Sequence, residues 1–596
     1  TAALAAELEP SLPEGEALFP RFPTPPGETA AEMLRRLSYE GAQRRYGRLT
    51  AALNERLERE LAVISRLGFA DYFLVVWDVV REAKERRIRC AGRGSAADSV
   101  VSYCLGITEV DAFQRELLFE RFMSRERAER PDIDLDIDAR HRDDLADYLA
   151  RRYGADKVAA VATYNTFQGR SAVRDLGKVL ELEEAELDAL AKRLPYFVTA
   201  DGIRAARERV PELKNSALPW ERYEQLLDFC AAAAGLPRHL GTHLGGLVVA
   251  REPLANLVPL QRAAKGVVVT QFDKDDVEDL GLVKLDLLSL RTFGAVEESL
   301  RTLRTSGQPL DYDRLPLDDK ATFRMLQKGR TIGVFQLESP AQRALQSRLG
   351  AGNIEDIVAS LALIRPGPIK GNMVEPYIAR RRGEEEVSYL LPALRPVLEK
   401  TYGVVLFQEQ VIAIATIVAG FGAGEADRLR RVMTHARSQA EMAAIGREFV
   451  ARAVARGVAE ETAQAIFATI AGYASYGFCE AHAAAFATTA YKTAYLMCHH
   501  PAHYLAALLS LQPMGFYPPW VLVGEARRRG VQVLPPDVNK SAAQYTVEGG
   551  AVRVGLKQIK GVDEKVLKEL LAARSNRPYT SLADLKERSG LSADLR

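Results

Sequence analysis

"RPDIDLDID", residues 130–138, sets an aspartate at every second position: Asp132, Asp134, Asp136 and Asp138. Ile133, Leu135 and Ile137 fill the alternate places. A period of two is that of a β-strand with one apolar face, so this stretch reads as a strand whose other face carries only carboxylates. Two carboxylates about 5 Å apart repel by roughly 3 kcal/mol at an effective dielectric near 20. Such a face needs either open water or a cation. An EF-hand does not supply the answer, because the sixth and twelfth positions counted from Asp132 are Ile137 and Asp143 rather than Gly and Glu.

Upstream, "CAGRGSAADSVVSYCLGIT" (90–108) offers Gly92 and Gly94 for a tight turn, and Ser95 to open an apolar-periodic helix whose free amides suit phosphate. The same pattern also serves as an ordinary helix start. Downstream, "GLVKLDLLSL" (281–290) puts Lys284 and Asp286 on one side of a strand otherwise built of Leu and Val, which taken alone reads equally as an internal salt bridge. Taken together, a Gly-Ser turn, an Asp-x-Asp strand and an Asp on a later strand form the set that two-metal phosphoryl transfer requires.

The bulk numbers bound the class of protein. The chain of 596 residues is 47% hydrophobic and 27% charged, enough for three to five domains. Lys plus Arg number 80 against 79 Asp plus Glu, so no net field draws the whole molecule to nucleic acid, and any basic surface is local. Five cysteines without a CxxC pair fit a reducing cytoplasm, and the absence of a ~20-residue apolar run excludes a membrane span. The sequence begins at Thr1 rather than Met, as a fragment would. A Pro-rich lead-in (10–28) precedes a core expected from about residue 30. Strands are expected near 132–138, 245–250 and 282–288, and 318–510 reads as almost wholly helical.

Several long motifs occur in one order: "GRGSAADSVVSYCLGIT", "LLFERFMSRERAERPDIDLDID", "QFDKDDVEDLGLVKLDLLSLRT", "GVFQLES", "LIRPGPIKGNMVEPYIARRRG", "TYGVVLFQEQV" and "YGFCEAHAAAFA". On them the chain resembles the bacterial C-family DNA polymerases, the family of the DNA polymerase III alpha subunit. The stretch "LLSLQPMGFYPPWVLVGEARRRGVQVLPPDVNKS" (508–541) resembles the error-prone, damage-response branch. In contrast, "VMTHARS" (432–438) replaces the "AMGKK" of replicative relatives.

The resemblance implies an α/β (α+β) fold, with a polymerase-beta-like nucleotidyltransferase palm, a helical thumb and large, mostly helical fingers. The corresponding ranges are palm 1–165, thumb 166–243, palm again 244–292, fingers 293–530, and a partial helix-hairpin-helix, duplex-binding region 531–596. It implies Asp134, Asp136 and Asp286 as catalytic ligands of two Mg2+ ions; Asp132 is not carried over, and Asp138 is expected solvated or behind the ligands. Gly94, Ser95, Lys284, Arg430, Arg431 and His482 would meet the triphosphate, and Arg170, Arg174, Lys178, Lys560 and Gly561 the DNA. Asp563 replaces the second Gly of the usual hairpin turn. Without the family the "RLRR" pair and the basic stripe at 170–178 read as solvated helix faces.

The implied function is template-directed extension of a primer by deoxynucleoside triphosphates, with a sliding clamp and accessory subunits as further partners. No counterpart of the family's N-terminal phosphoesterase-like domain precedes residue 30, so proofreading is not expected of this sequence. The alternative is a non-catalytic DNA-binding scaffold of the same fold.

Overall fold

A computed structural model describes residues 18–123, 131–216, 218–365, 373–435, 439–474 and 478–589. Parts of four quoted motifs (124–130, 366–372, 436–438 and 476–477) therefore lie outside the described residues. The chain forms two compact units, one of residues 1–20 with 147–285 and the other of 21–146 with 286–596.

In the second unit the carboxylate stretch forms β2 (Asp134–Asp138); the expected later strand forms β7 (Lys284–Leu290) from its third residue on, and β7 lies in this unit from Asp286. β2 and β7 run parallel, with Asp134 opposite Asp286. On its other edge β2 pairs antiparallel with β1 (Cys90–Arg93), a strand the sequence did not announce because four residues are too few to show a period. Gly92 is required there by close approach: a Cβ would stand 2.8 Å from the Ile107 carbonyl oxygen. Behind these strands lies the helix Ala70–Glu85, which buries Phe73, Val76, Val79 and Val80.

The expected helix at Ser95 is a 3-10 turn instead, Gly94–Asp98. The α-helix begins at Val100, because Ser99 and not Ser95 caps it: the Ser102 amide donates to Ser99 Oγ at 3.1 Å. The ordered core also starts earlier than residue 30, since Phe22 is buried and packs edge-on against Trp77.

From 318 to 510 the described secondary structure is helical, as expected. Helices Gln408–Ala419, Ala423–His435, Gln439–Ala455 and Glu460–Ala474 enclose a core that includes Val411, Ala415, Met433, Phe449 and Ile470. The helix Glu480–His499 packs along Ile354–Leu363 and, at its start, against the Gly94–Asp98 turn. A three-stranded sheet near the C-terminus precedes helices Glu564–Asn576 and Leu582–Arg588.

The first unit holds β3 (Val158–Thr166), β4 (Pro237–Val249), β5 (Leu260–Arg262) and β6 (Val268–Thr270), in the order β4-β3-β6-β5. Between β3 and β4 in sequence lies a helical bundle whose core includes Val173, Leu187, Leu190, Leu226 and Cys230. No helix among the described residues is long and apolar enough to cross a membrane.

Candidate active site

The parallel register of β2 and β7 sets Asp134 and Asp286 side by side, and Asp132 joins them from the residues just before β2. One oxygen from each of these three lies within 4.8 Å of the others. Asp132 thus enters the cluster although only its place on the same face pointed to it. Asp136 stands one strand-period further on, 5% exposed, with Arg93 Nη1 at 3.7 Å from its Oδ1. Burial pushes its pKa up to about 6 against the opposing pull of Arg93. Beneath the cluster Tyr72, 2% exposed, accepts the Ile133 amide at 3.0 Å.

Asp138 is not solvated. It is 1% exposed and held by Arg140, whose Nη2 reaches Asp138 Oδ2 at 2.6 Å.

The Gly-Ser turn meets this cluster directly. Gly94 has φ +69, and a Cβ on it would stand 3.5 Å from Asp134 Oδ2. Ser95 Oγ donates to the Asp132 carbonyl at 3.5 Å. Arg93, which sequence reading passed over, lies within 3.8 Å of Asp134 Oδ2 and 5.6 Å above the Phe486 ring. Lys284 opens β7 two positions before Asp286, which on a pleated strand is the same face.

His482 lies on the helix Glu480–His499, its ring 4.3 Å from Phe486 and 5.3 Å from Phe478. Burial, and the neighbouring Arg93, Arg121 and Arg365, lower its pKa to about 4. A cationic role toward phosphate therefore does not follow at neutral pH; the ring is neutral and offers one donor. Arg430 and Arg431 are not a loose solvated face: both reach the buried Asp427, Arg430 Nη2 at 2.8 Å and Arg431 Nε at 3.2 Å.

A second set of buried charges ties the turn to the fingers. Arg121 Nη1 donates to Asp98 Oδ2 at 2.7 Å, its Nε lies 3.4 Å from Glu409 Oε1, and Glu409 accepts the Glu480 amide at 3.1 Å. Burial raises the pKa of Asp98 in spite of Arg121. These four residues come from segments far apart in sequence, and no local pattern could have joined them.

Three of the expected DNA-binding residues have local partners of their own. On helix Gly169–Val179, Arg174 pairs with Asp188 at 2.8 Å and Lys178 with Glu184 at 3.6 Å, while Arg170 Nε donates to the Leu194 carbonyl at 2.8 Å. Near the C-terminus exposed Lys560 precedes Gly561, at φ +90, and Asp563 caps helix Glu564–Asn576 by accepting the Val566 amide. Asp563 thereby serves as a helix cap where the usual turn has glycine.

With the geometry in place, comparison with known families is decisive. A family model described as "Bacterial DNA polymerase III alpha NTPase domain" matches residues 32–289, and one described as "Bacterial DNA polymerase III alpha subunit finger domain" matches 293–457. The chain belongs to the bacterial DNA polymerase III alpha family. A helix-hairpin-helix model matches 530–594. Among the family's curated members, a protein of Symbiobacterium thermophilum named error-prone DNA polymerase is 59% identical over 99% of this chain and 56% of its own length. A protein of the same name from Dechloromonas aromatica is 42% identical over 99% of this chain and 57% of its length, and one from an Anaeromyxobacter species 43% identical over 94% and 51%. All three relatives carry the name error-prone DNA polymerase. The chain spans a little over half the length of these relatives.

Proposed function

We propose that these residues form the catalytic core of an error-prone, template-directed DNA polymerase. The observation that carries this reading is the in-register pair Asp134 and Asp286, with an Asp132 oxygen within 4.8 Å and the Gly94 turn against Asp134. A set of hard carboxylate oxygens at one strand edge fits Mg2+, and Asp134 and Asp286, with Asp132 or Asp136, would hold it. Bound there, Mg2+ would supply Lewis-acid stabilisation of charge on the reacting phosphoryl group and acidify the primer hydroxyl.

In this reading the chain's own groups position the reactants. The Gly94–Ser95 turn presents backbone amides to the triphosphate, Lys284 offers an ammonium from the same strand face as Asp286, and Arg430 and Arg431, oriented by Asp427, neutralise the leaving pyrophosphate. His482, neutral, donates one hydrogen bond.

The ranges expected above serve as working domains: palm 1–165 and 244–292, thumb 166–243, fingers 293–530, and a duplex-binding region from 531. Arg170, Arg174, Lys178, Lys560 and Gly561 contact the DNA backbone. Surface ion pairs such as Arg174–Asp188 are worth about 0–1 kcal/mol, so a phosphate can replace the carboxylate. The substrates are primer-template DNA and deoxynucleoside triphosphates, the partners a sliding clamp and accessory subunits, and the compartment the cytoplasm. The test is extension of a labelled primer with Mg2+, on matched and mismatched templates. Template-dependent extension with frequent misincorporation is expected, and DNA binding without extension would leave only a scaffold.

A further inference from the structure

A cavity of about 910 Å³ opens at the end of β7, lined there by Leu290 and by none of the three clustered aspartates. Of the residues assigned above to metal and triphosphate, His482 alone lines it. Its volume falls in the range of about 300–1,000 Å³ that encloses a small organic ligand.

One wall is a continuous aromatic series. Phe335 lies 5.2 Å from Phe486, Phe486 4.3 Å from His482, and His482 5.3 Å from Phe478, over which Arg365 stands at 4.3 Å. Facing it is the loop Gln512–Tyr517, with the Phe516 ring 60% exposed. That loop is held rather than loose: Glu338 accepts the Phe516 amide at 2.7 Å and the Gly333 amide at 2.9 Å, and Arg291 donates to the Pro513 carbonyl. Gln336 and Ser339 add hydrogen-bonding groups to the lining.

Flat aromatic faces, a few amide and hydroxyl groups, and guanidinium cations for a phosphodiester are the chemistry that receives a nucleobase taken out of its stack. We propose that this cavity receives one unpaired nucleobase of the template strand, displaced from the duplex next to the primer end. The inference rests on the polymerase reading for the presence of a template. It gives that reading a structural route to errors, since a template base lodged here is not copied.

The test is binding, which does not depend on catalysis. The full chain is titrated against fluorescein-labelled primer-template duplexes that are either fully matched or carry one extra unpaired template base beside the primer terminus. The bulged duplex is expected to bind about fivefold tighter or more, the lower end of what stacking one base contributes. Phe516→Ala removes part of the aromatic lining and Met514→Trp fills the space; each is expected to erase the preference while leaving affinity for matched DNA unchanged. A wild-type preference that is absent, or that both variants retain, overturns the proposal. So does a rise in the nucleotide KM of the variants with no bulge preference in the wild type, which would assign the cavity to the incoming nucleotide. Failure of the wild type to extend a matched primer would strike the polymerase reading instead and leave the binding result standing.

Discussion

Asp134 is the residue on which the site turns, sharing its neighbourhood with Asp132, Asp286 and the Gly94 turn. Asp134→Ala is expected to abolish primer extension with no loss of thermal stability, because removing one of several like charges also removes repulsion. Gel-resolved extension and a melting curve on the same preparation check both halves. His482 carries a second expectation. Its folded pKa of about 4 lies below the ordinary 6.5, so between those values the unfolded chain binds the extra proton. Stability therefore falls as pH drops from about 6.5 toward 4, and His482→Gln is expected to flatten that part of the curve in denaturant titrations at stepped pH. Strand alternation, a local rule, put Asp132, Asp134, Asp136 and Asp138 on one face and Lys284 with Asp286 on another, and only the family resemblance singled out Asp134, Asp136 and Asp286. That Asp132 joins the cluster and Asp136 sits deeper beside Arg93 was not legible, since register and burial are set by β1 and β7, which are distant in the chain.

Among the elements, the short helix Val100–Cys104 fixes the far end of the Gly94–Asp98 turn. Ser99 caps it and also donates to the buried Glu60 at 2.8 Å. Ser99→Ala is expected to cost about 1–2 kcal/mol, read as a lower denaturant midpoint at unchanged slope. The sequence marked a helix start at Ser95 because Gly-x-Gly-Ser before an apolar run satisfies the usual start signal at either serine. Which serine caps is decided by tertiary partners, Glu60 for one and the Asp132 carbonyl for the other. The long helices of 318–510 were readable from their apolar period alone, whereas β1, β5 and β6 are three or four residues long and too brief to show one.

At the scale of the whole molecule, 80 basic against 79 acidic residues leave no general attraction to DNA. Affinity must come from particular contacts, and the salt dependence of binding counts them. Lys560→Ala is expected to lower the slope of log K against log salt by about 1, with little change in sequence preference, measured by anisotropy over a range of NaCl. An unchanged slope would remove Lys560 from the interface.

The buried Arg121, with Asp98 on the turn side and Glu409 and Glu480 on the helical side, constrains how these segments can move. Separating such a set strands a charge in the protein interior, which costs about 3–5 kcal/mol. The Gly94–Asp98 turn and the starts of helices Gln408–Ala419 and Glu480–His499 therefore travel as one rigid block. Any relative motion of these segments has to bend at a joint outside it.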